Sequence, residues 1–340
     1  MKKFFLASLV LLTVFTACNK DWQFPDYKYS TVYFPYQSPV RTLVLGEDIF
    51  DNTLDNQRKF IIMATMGGVY ENKKNVVLDV ALDNTLAQRL KFGTNGDSLF
   101  AMPSSYYILP QNMKITIPAG KVMGGLEIQL TDAFFADPRS VKNTFVVPLR
   151  IISVSNADSV LRGSTTKASP DPRLIGDWAV APKDFVLYAV KYINPYHGVY
   201  LRRGVAEVKG NGNTALDTTV VYRNAFVEKD EVVNLFTRSL TQDTISLNSK
   251  NRGNVNVPFR LVLNFDNSDN IVVSAPSSAS YTVTGNGKFV KKGDMWGNEK
   301  RDVMHLKYQI NFGTTTHSLT DTLVLRDRGV KFETFTPVIF

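Results

Sequence analysis

The sequence has 340 residues, 39 Lys and Arg against 31 Asp and Glu, a formal net charge of +8, and 44% hydrophobic and 21% charged residues. This balance describes a folded globular protein and excludes a disordered chain. The basic residues stand in ones and twos, as at Lys73-Lys74, Arg202-Arg203 and Lys291-Lys292, with no basic helix or aromatic-interleaved stripe, so nucleic acid is excluded as a partner.

The amino terminus reads Met1-Lys2-Lys3, then an apolar or small run from Phe4 to Ala17, then Cys18, the only cysteine. A short basic region, an apolar stretch too short to span a bilayer and small residues before a cysteine predict a signal peptide at 1–17. Phe15-Thr16-Ala17-Cys18 resembles a lipobox, with Phe15 where Leu is commoner. Cys18 is therefore expected to be the lipidation site, tethering the chain to a membrane through residues 18–29. Subtracting Lys2 and Lys3 from +8 leaves +6 for the mature chain. A field that mild could meet an anionic polysaccharide, although paired lysines in hairpins are more often solvated faces. With Cys18 acylated no disulfide is available, so stability must come from the cores.

The remaining length, about 320 residues, predicts two domains. Segments rich in Val, Ile, Tyr, Phe and Thr alternate at period two between Gly, Asn, Asp and Pro clusters, which predicts an all-β protein. In the first half strands are expected at 31–35, 41–45, 59–66, 76–82, 114–117, 122–130 and 144–153, about the number in an immunoglobulin-like β-sandwich over 30–154. Residues 83–100 are expected to form a helix or long loop over one end of it, because Leu86, Leu90 and Phe92 keep no strand period. A small, polar, proline-terminated stretch at 155–172 reads as a linker.

Residues 173–340 are expected to form the second domain, with strands at 185–193, 198–208, 218–227, 232–236, 243–247, 259–265, 271–274, 281–289, 304–312 and 318–326. Turns such as Gly210-Asn211-Gly212-Asn213 and Gly285-Asn286-Gly287 support local hairpins. An antiparallel β-barrel, lipocalin-like with a ligand cavity at its mouth, or else a second sandwich, follows from this pattern.

The lipobox, the run Ile115-Thr116-Ile117-Pro118-Ala119-Gly120, the stretch Asp158-Ser159-Val160-Leu161-Arg162-Gly163 and the segment from Tyr196 to Gly204 together resemble a known group. These are the Bacteroidetes surface lipoproteins with an N-terminal domain of unknown function 1735 and a C-terminal β-rich domain. The resemblance implies a role in polysaccharide utilisation at the outer membrane, facing the cell exterior, beside a glycan importer. It supplies no catalytic or binding residues to carry over.

Residue chemistry offers little to an enzyme. His197, His305 and His317 lack metal-ligand spacing, and there is no Gly-x-Ser-x-Gly elbow, phosphate loop or thiol nucleophile, so no metal, cofactor or catalytic residue is assigned. Glu228 with Asp230 or Glu231 is a chance carboxylate pair, and the loop from Asp266 to Asn270 reads as a hairpin turn more readily than a calcium site. Glycan binding calls for aromatic rings beside polar groups. Trp296, in a polar loop, is the leading candidate, followed by Tyr196 with His197, and Trp178. The sequence thus points to a non-catalytic lipoprotein binding a polysaccharide or oligosaccharide. The alternative is a structural or assembly lipoprotein binding a protein partner in the outer membrane.

Overall fold

The structure is a computed structural model and describes residues 29–340; the expected leader, Cys18 and nearly all of the tether lie outside the described residues. Among the described residues no helix is long and apolar enough to cross a membrane.

The protein is all-β, a sandwich followed by a closed barrel. The sandwich strands are β1 (Thr31–Tyr33), β2 (Pro39–Val44), β3 (Lys59–Gly67), β4 (Val76–Leu82), β5 (Leu90–Phe92), β6 (Ser98–Ala101), β7 (Tyr107–Ile108), β8 (Lys114–Ile117), β9 (Met123–Leu130), β10 (Phe145–Ser155), β11 (Ser159–Val160) and β12 (Phe185–Ile193). One sheet runs β11-β1-β3-β9-β7; the other sets β2, β12 and β10 side by side, with β4 on β10 and β8 on β4. Strict alternation drives the packing. Phe60, Ile62, Ala64 and Met66 of β3 and Leu126, Ile128 and Leu130 of β9 face Val76, Leu78, Ile115, Ile117 and Leu149 across an apolar interior.

The segment expected as a helix or long loop at 83–100 is a 3-10 turn at Asn84–Ala87 followed by β5 and β6. Its Leu86, Leu90 and Leu99 cover the outer face of the second sheet, against Val146, Leu187 and Ala189. That cover explains why Phe145-Val146-Val147 is buried without alternation, being packed on both faces.

The boundary expected between the two units needs correction. Strand β12, assigned from sequence to the second domain, pairs antiparallel with β10 and parallel with β2. Residues of the expected linker also lie on the sandwich: β11 pairs with β1, and the Phe34 and Lys183 amides donate to the Lys183 and Leu161 carbonyls. After the barrel the chain returns, with β22 (Glu333–Thr334) on β2 and β23 (Pro337–Ile339) on β5. An apolar strand such as β12 carries no label saying which core it serves.

The barrel strands are β13 (Gly198–Gly210), β14 (Thr218–Tyr222), β15 (Glu231–Ser239), β16 (Gln242–Lys250), β17 (Asn256–Phe265), β18 (Asn270–Ser274), β19 (Thr282–Trp296), β20 (Glu299–Asn311) and β21 (Thr315–Asp327). Every pair is antiparallel, and β21 pairs with β13 to close the ring. Eight strands form the closed circuit, and β14 is an addition outside it. The axis is filled by Tyr200, Leu235, Ile245, Leu261, Leu263, Met304, Leu306 and Leu323, so the interior is a packed core, unlike a lipocalin cup. The mouth facing the sandwich is plugged by Tyr196, which lies flat on Phe265 at 3.6 Å between centroids, with Phe289 edge-on.

A buried arginine joins the units. Arg328 donates from Nε to the His197 carbonyl and from Nη1 to that of Glu47, and Nη2 reaches those of Leu45 and Asn194. Beside it Asn194 donates to Asp243 at 2.7 Å and accepts from the amides of Tyr196 and His197. Burial pushes the Asp243 carboxyl up to about 7.

Candidate functional site: a seam in the barrel wall

One edge of β13 pairs with β21 along most of its length. The other edge is shared: Gly198 to Arg202 pair with β15, and Gly204 to Val208 pair with β14. Strands β14 and β15 are therefore two pieces of one interrupted strand, separated by the excursion at 223–230. Strand β16 pairs with β15 only through Gln242 to Ile245. Beyond that point β14 and the Ser246–Lys250 half of β16 have no ladder partner on the sides that face each other. The barrel wall is thus split, leaving main-chain polar groups at the seam for another ligand.

Arg202 fills the base of the split. It follows Tyr200 on the inward row of β13, and its guanidinium is fully buried. Nη1 donates to Glu231 Oε2 at 3.0 Å and to the Asn248 carbonyl at 2.9 Å, so one group bridges β15 and β16 where their ladder is missing. Nε donates to Asp321 Oδ2 at 3.1 Å, and Nη2 lies 3.0 Å from the same oxygen without the alignment of a hydrogen bond. Tyr308 donates its hydroxyl to that oxygen at 2.6 Å. Burial opposes the charge on Arg202, but Asp321, with Tyr308 and Glu231, outweighs it and holds its pKa above the ordinary value. Burial, then Asp321, raises that of Tyr308. Gly204 permits this arrangement, since a Cβ there would lie 2.2 Å from Asp321 Oδ1.

Above this base lies a cavity of about 320 Å³ lined by Arg202, Tyr222, Arg223, Glu231, Asn248 and Lys250, among others. Arg202 lies 4.6 Å from the Tyr222 ring centroid, a cation–π contact. The Tyr222 hydroxyl is buried without a hydrogen-bond partner among the described residues. A ring, guanidinium groups, amides and open strand edges in one concavity suit a ligand rich in hydroxyl groups.

None of the glycan-binding candidates chosen from sequence lines this cavity; of the carboxylates weighed there, Glu231 does. Tyr196 is the clearest correction: its ring is the barrel plug and its hydroxyl donates to Asp269 at 2.9 Å, so neither ring face is open to a sugar. His197 sits at the junction, where its Nδ1 accepts from the Thr237 amide at 3.2 Å. Burial, then Arg328 and Lys191, pushes its pKa down to about 4. Trp178 is half-buried, packed over Gly163, and its indole donates to the Asp171 carbonyl at 2.8 Å. Trp296 ends β19 at a hairpin tip, with Arg301 over its ring at 5.0 Å.

The carboxylates weighed as an acid pair are engaged separately. Asp230 is buried on Arg203 at 2.6 Å, and Glu231 holds Arg202. The Asp266 loop is a hairpin turn whose first carboxylate accepts from the Ser268 and Asn270 amides. His317 bonds Ser249 at 2.7 Å inside the barrel. The base of the cavity did leave one sequence signal: Arg202 and Asp321 occupy inward positions, between Tyr200 and Gly204 and between Leu319 and Leu323.

Two family models match the chain. Residues 195–329, essentially the barrel, match a domain of unknown function, DUF5627. Residues 27–158 match a family described as an N-terminal domain. No curated protein matches. Among solved structures, a Bacteroides ovatus protein of unknown function is 39% identical, with a TM-score of 0.86 over 93% of this chain and 100% of that one. Another Bacteroides ovatus protein of unknown function is 13% identical, with a TM-score of 0.42 over 90% of this chain and 100% of that one. A multidomain Bacteroides ovatus protein including DUF1735 is 12% identical, with a TM-score of 0.40 over 88% of this chain and 94% of that one. The last two are too distant to carry an argument. On 39% identity across nearly its whole length, this chain belongs to the family of the first of these Bacteroides ovatus proteins, a sandwich joined to a DUF5627 barrel.

Proposed function

We propose that this protein is a non-catalytic, lipid-anchored binder of polysaccharide or oligosaccharide at the outer surface of the cell, serving glycan uptake beside an outer-membrane importer. The observation that carries the reading is the seam cavity, where Tyr222, Arg202 and Asn248 converge between strand edges lacking ladder partners. Lipidation at Cys18 would hold that cavity near the membrane. Calorimetry of the full mature chain against a polysaccharide panel tests it: binding of at least one glycan, weakened by Tyr222→Ala, is expected. A folded protein that binds none of them would sink the proposal.

A second reading, binding of a protein partner, draws on a different feature. An apolar groove of about 200 Å³ on the sandwich is lined by Tyr36, Ile62, Met63, Met123, Tyr188 and Phe332. Tyr36 and Phe332 are 53% and 67% exposed. Co-purification of an outer-membrane protein, lost in Phe332→Ser and indifferent to added glycan, would favour that reading.

A further inference from the structure

We infer that the ligand of the seam cavity is acidic, a glycan bearing carboxylates such as a uronate polymer; this rests on the glycan reading above. The observation is a pair of uncommitted cations. Arg223 follows β14 and Lys250 ends β16, so they line the cavity from the two sides of the seam. Among the described residues neither head group has an ion pair or a side-chain hydrogen bond. Nearby cations of the barrel are engaged: Arg202 with Glu231 and Asp321, Arg203 with Asp230, and Lys209 with Asp217.

The placement of charge matters more than its sum. Arg202 with Glu231 and Asp321 totals −1; Arg223 and Lys250 add +2, leaving +1 for the site. The negative charge is committed to the buried guanidinium at the base, whereas the positive charge stands free along the rim. Two unneutralised cations across a cleft repel each other, and an anion between them relieves that repulsion. The residue types also suit a carboxylate, because guanidinium binds it through paired parallel hydrogen bonds and an ammonium supplies a compact charge.

The test is calorimetry of the full mature chain with uronate polymers (polygalacturonate, alginate, hyaluronan) and neutral polysaccharides, including methyl-esterified polygalacturonate. We expect at least one uronate polymer to bind, with affinity falling severalfold as salt rises, and its ester or neutral counterpart to bind at least tenfold more weakly. The double variant Arg223→Ala with Lys250→Ala should lose at least tenfold in affinity with its melting temperature unchanged. The charge-matched control Lys73→Ala with Lys74→Ala, on the sandwich, should bind as wild type. Binding of neutral glycans only would overturn the acidic assignment and leave the glycan reading standing. Uronate binding unaffected by the double variant, or equally weakened by the control, would overturn the assignment to this seam. Failure to bind any glycan overturns both.

Discussion

The sandwich and the barrel spend their interiors differently. In the sandwich, buried charge sits at the rims: Asp55 accepts from the Val44 amide and pairs with Arg41, and Asp184 takes Arg150 and Arg162, while the space between the sheets is apolar. In the barrel, Arg202, Asp243, His317 and Asp321 occupy the inward rows of the strands themselves. A buried charge costs several kcal/mol unless it is paired and hydrogen-bonded. Apolar residues at those positions would pack without any such requirement. The contrast identifies the wall around Arg202 as the part of the molecule where packing has been given up for something else, and the open seam lies there.

The largest effect should come from removing one partner of the buried charge. Asp321→Ala leaves Arg202 Nε and the Tyr308 hydroxyl without their shared acceptor, and we expect a loss of about 3–5 kcal/mol in urea unfolding. Arg150→Met, at a sandwich rim where the side chain is 26% exposed and Asp184 keeps Arg162, should cost distinctly less than that. Equal losses at the two positions would break the comparison.

Asp243 sharpens it through pH. Its folded pKa of about 7 stands above the ordinary 3.8, so between those values the native state keeps a proton that the unfolded chain has released. Stability from this group is complete below about pH 4 and is lost as pH rises to 7. Asp243→Asn should therefore match wild type near pH 4 and exceed it above pH 7, by a few kcal/mol at most. Thermal melts across that range would read the crossover, and parallel curves for the two proteins would refute it.

A smaller effect is expected at the plug. Tyr196→Phe keeps the ring stacked on Phe265 and loses only the bond to Asp269, for about 1 kcal/mol by chemical denaturation. Glycan affinity of this variant should not change, because Tyr196 faces the barrel core. A loss of affinity would return Tyr196 to the binding surface.

Much of the fold was legible in the sequence. Period-two alternation made β3, β9, β16 and β20 visible, and the turns at Gly210–Asn213 and Asp266–Asn270 announced hairpins of a meandering barrel, whereas Gly285-Asn286-Gly287, expected as a turn, lies inside β19 and pairs with β18 and β20. The region at 83–100 escaped because short strands covering a sheet face follow neither helical nor strand periodicity. The aromatic candidates were chosen as rings in polar or turn settings, yet Tyr196 lies over Phe265, which is distant in sequence, and Arg301 reaches Trp296 across a hairpin.

Alternation alone determined that this chain is all-β and has two strand-rich halves, since a strand with one buried face must write that face into every second residue. Tertiary structure alone decided that β12 belongs to the sandwich, that Tyr196 closes the barrel, and that β14 and β16 face each other without pairing. Those facts concern which strand lies beside which, and register with a distant partner leaves no local pattern. The cavity at Arg202 is of that kind, for it exists only where a strand pairing is missing.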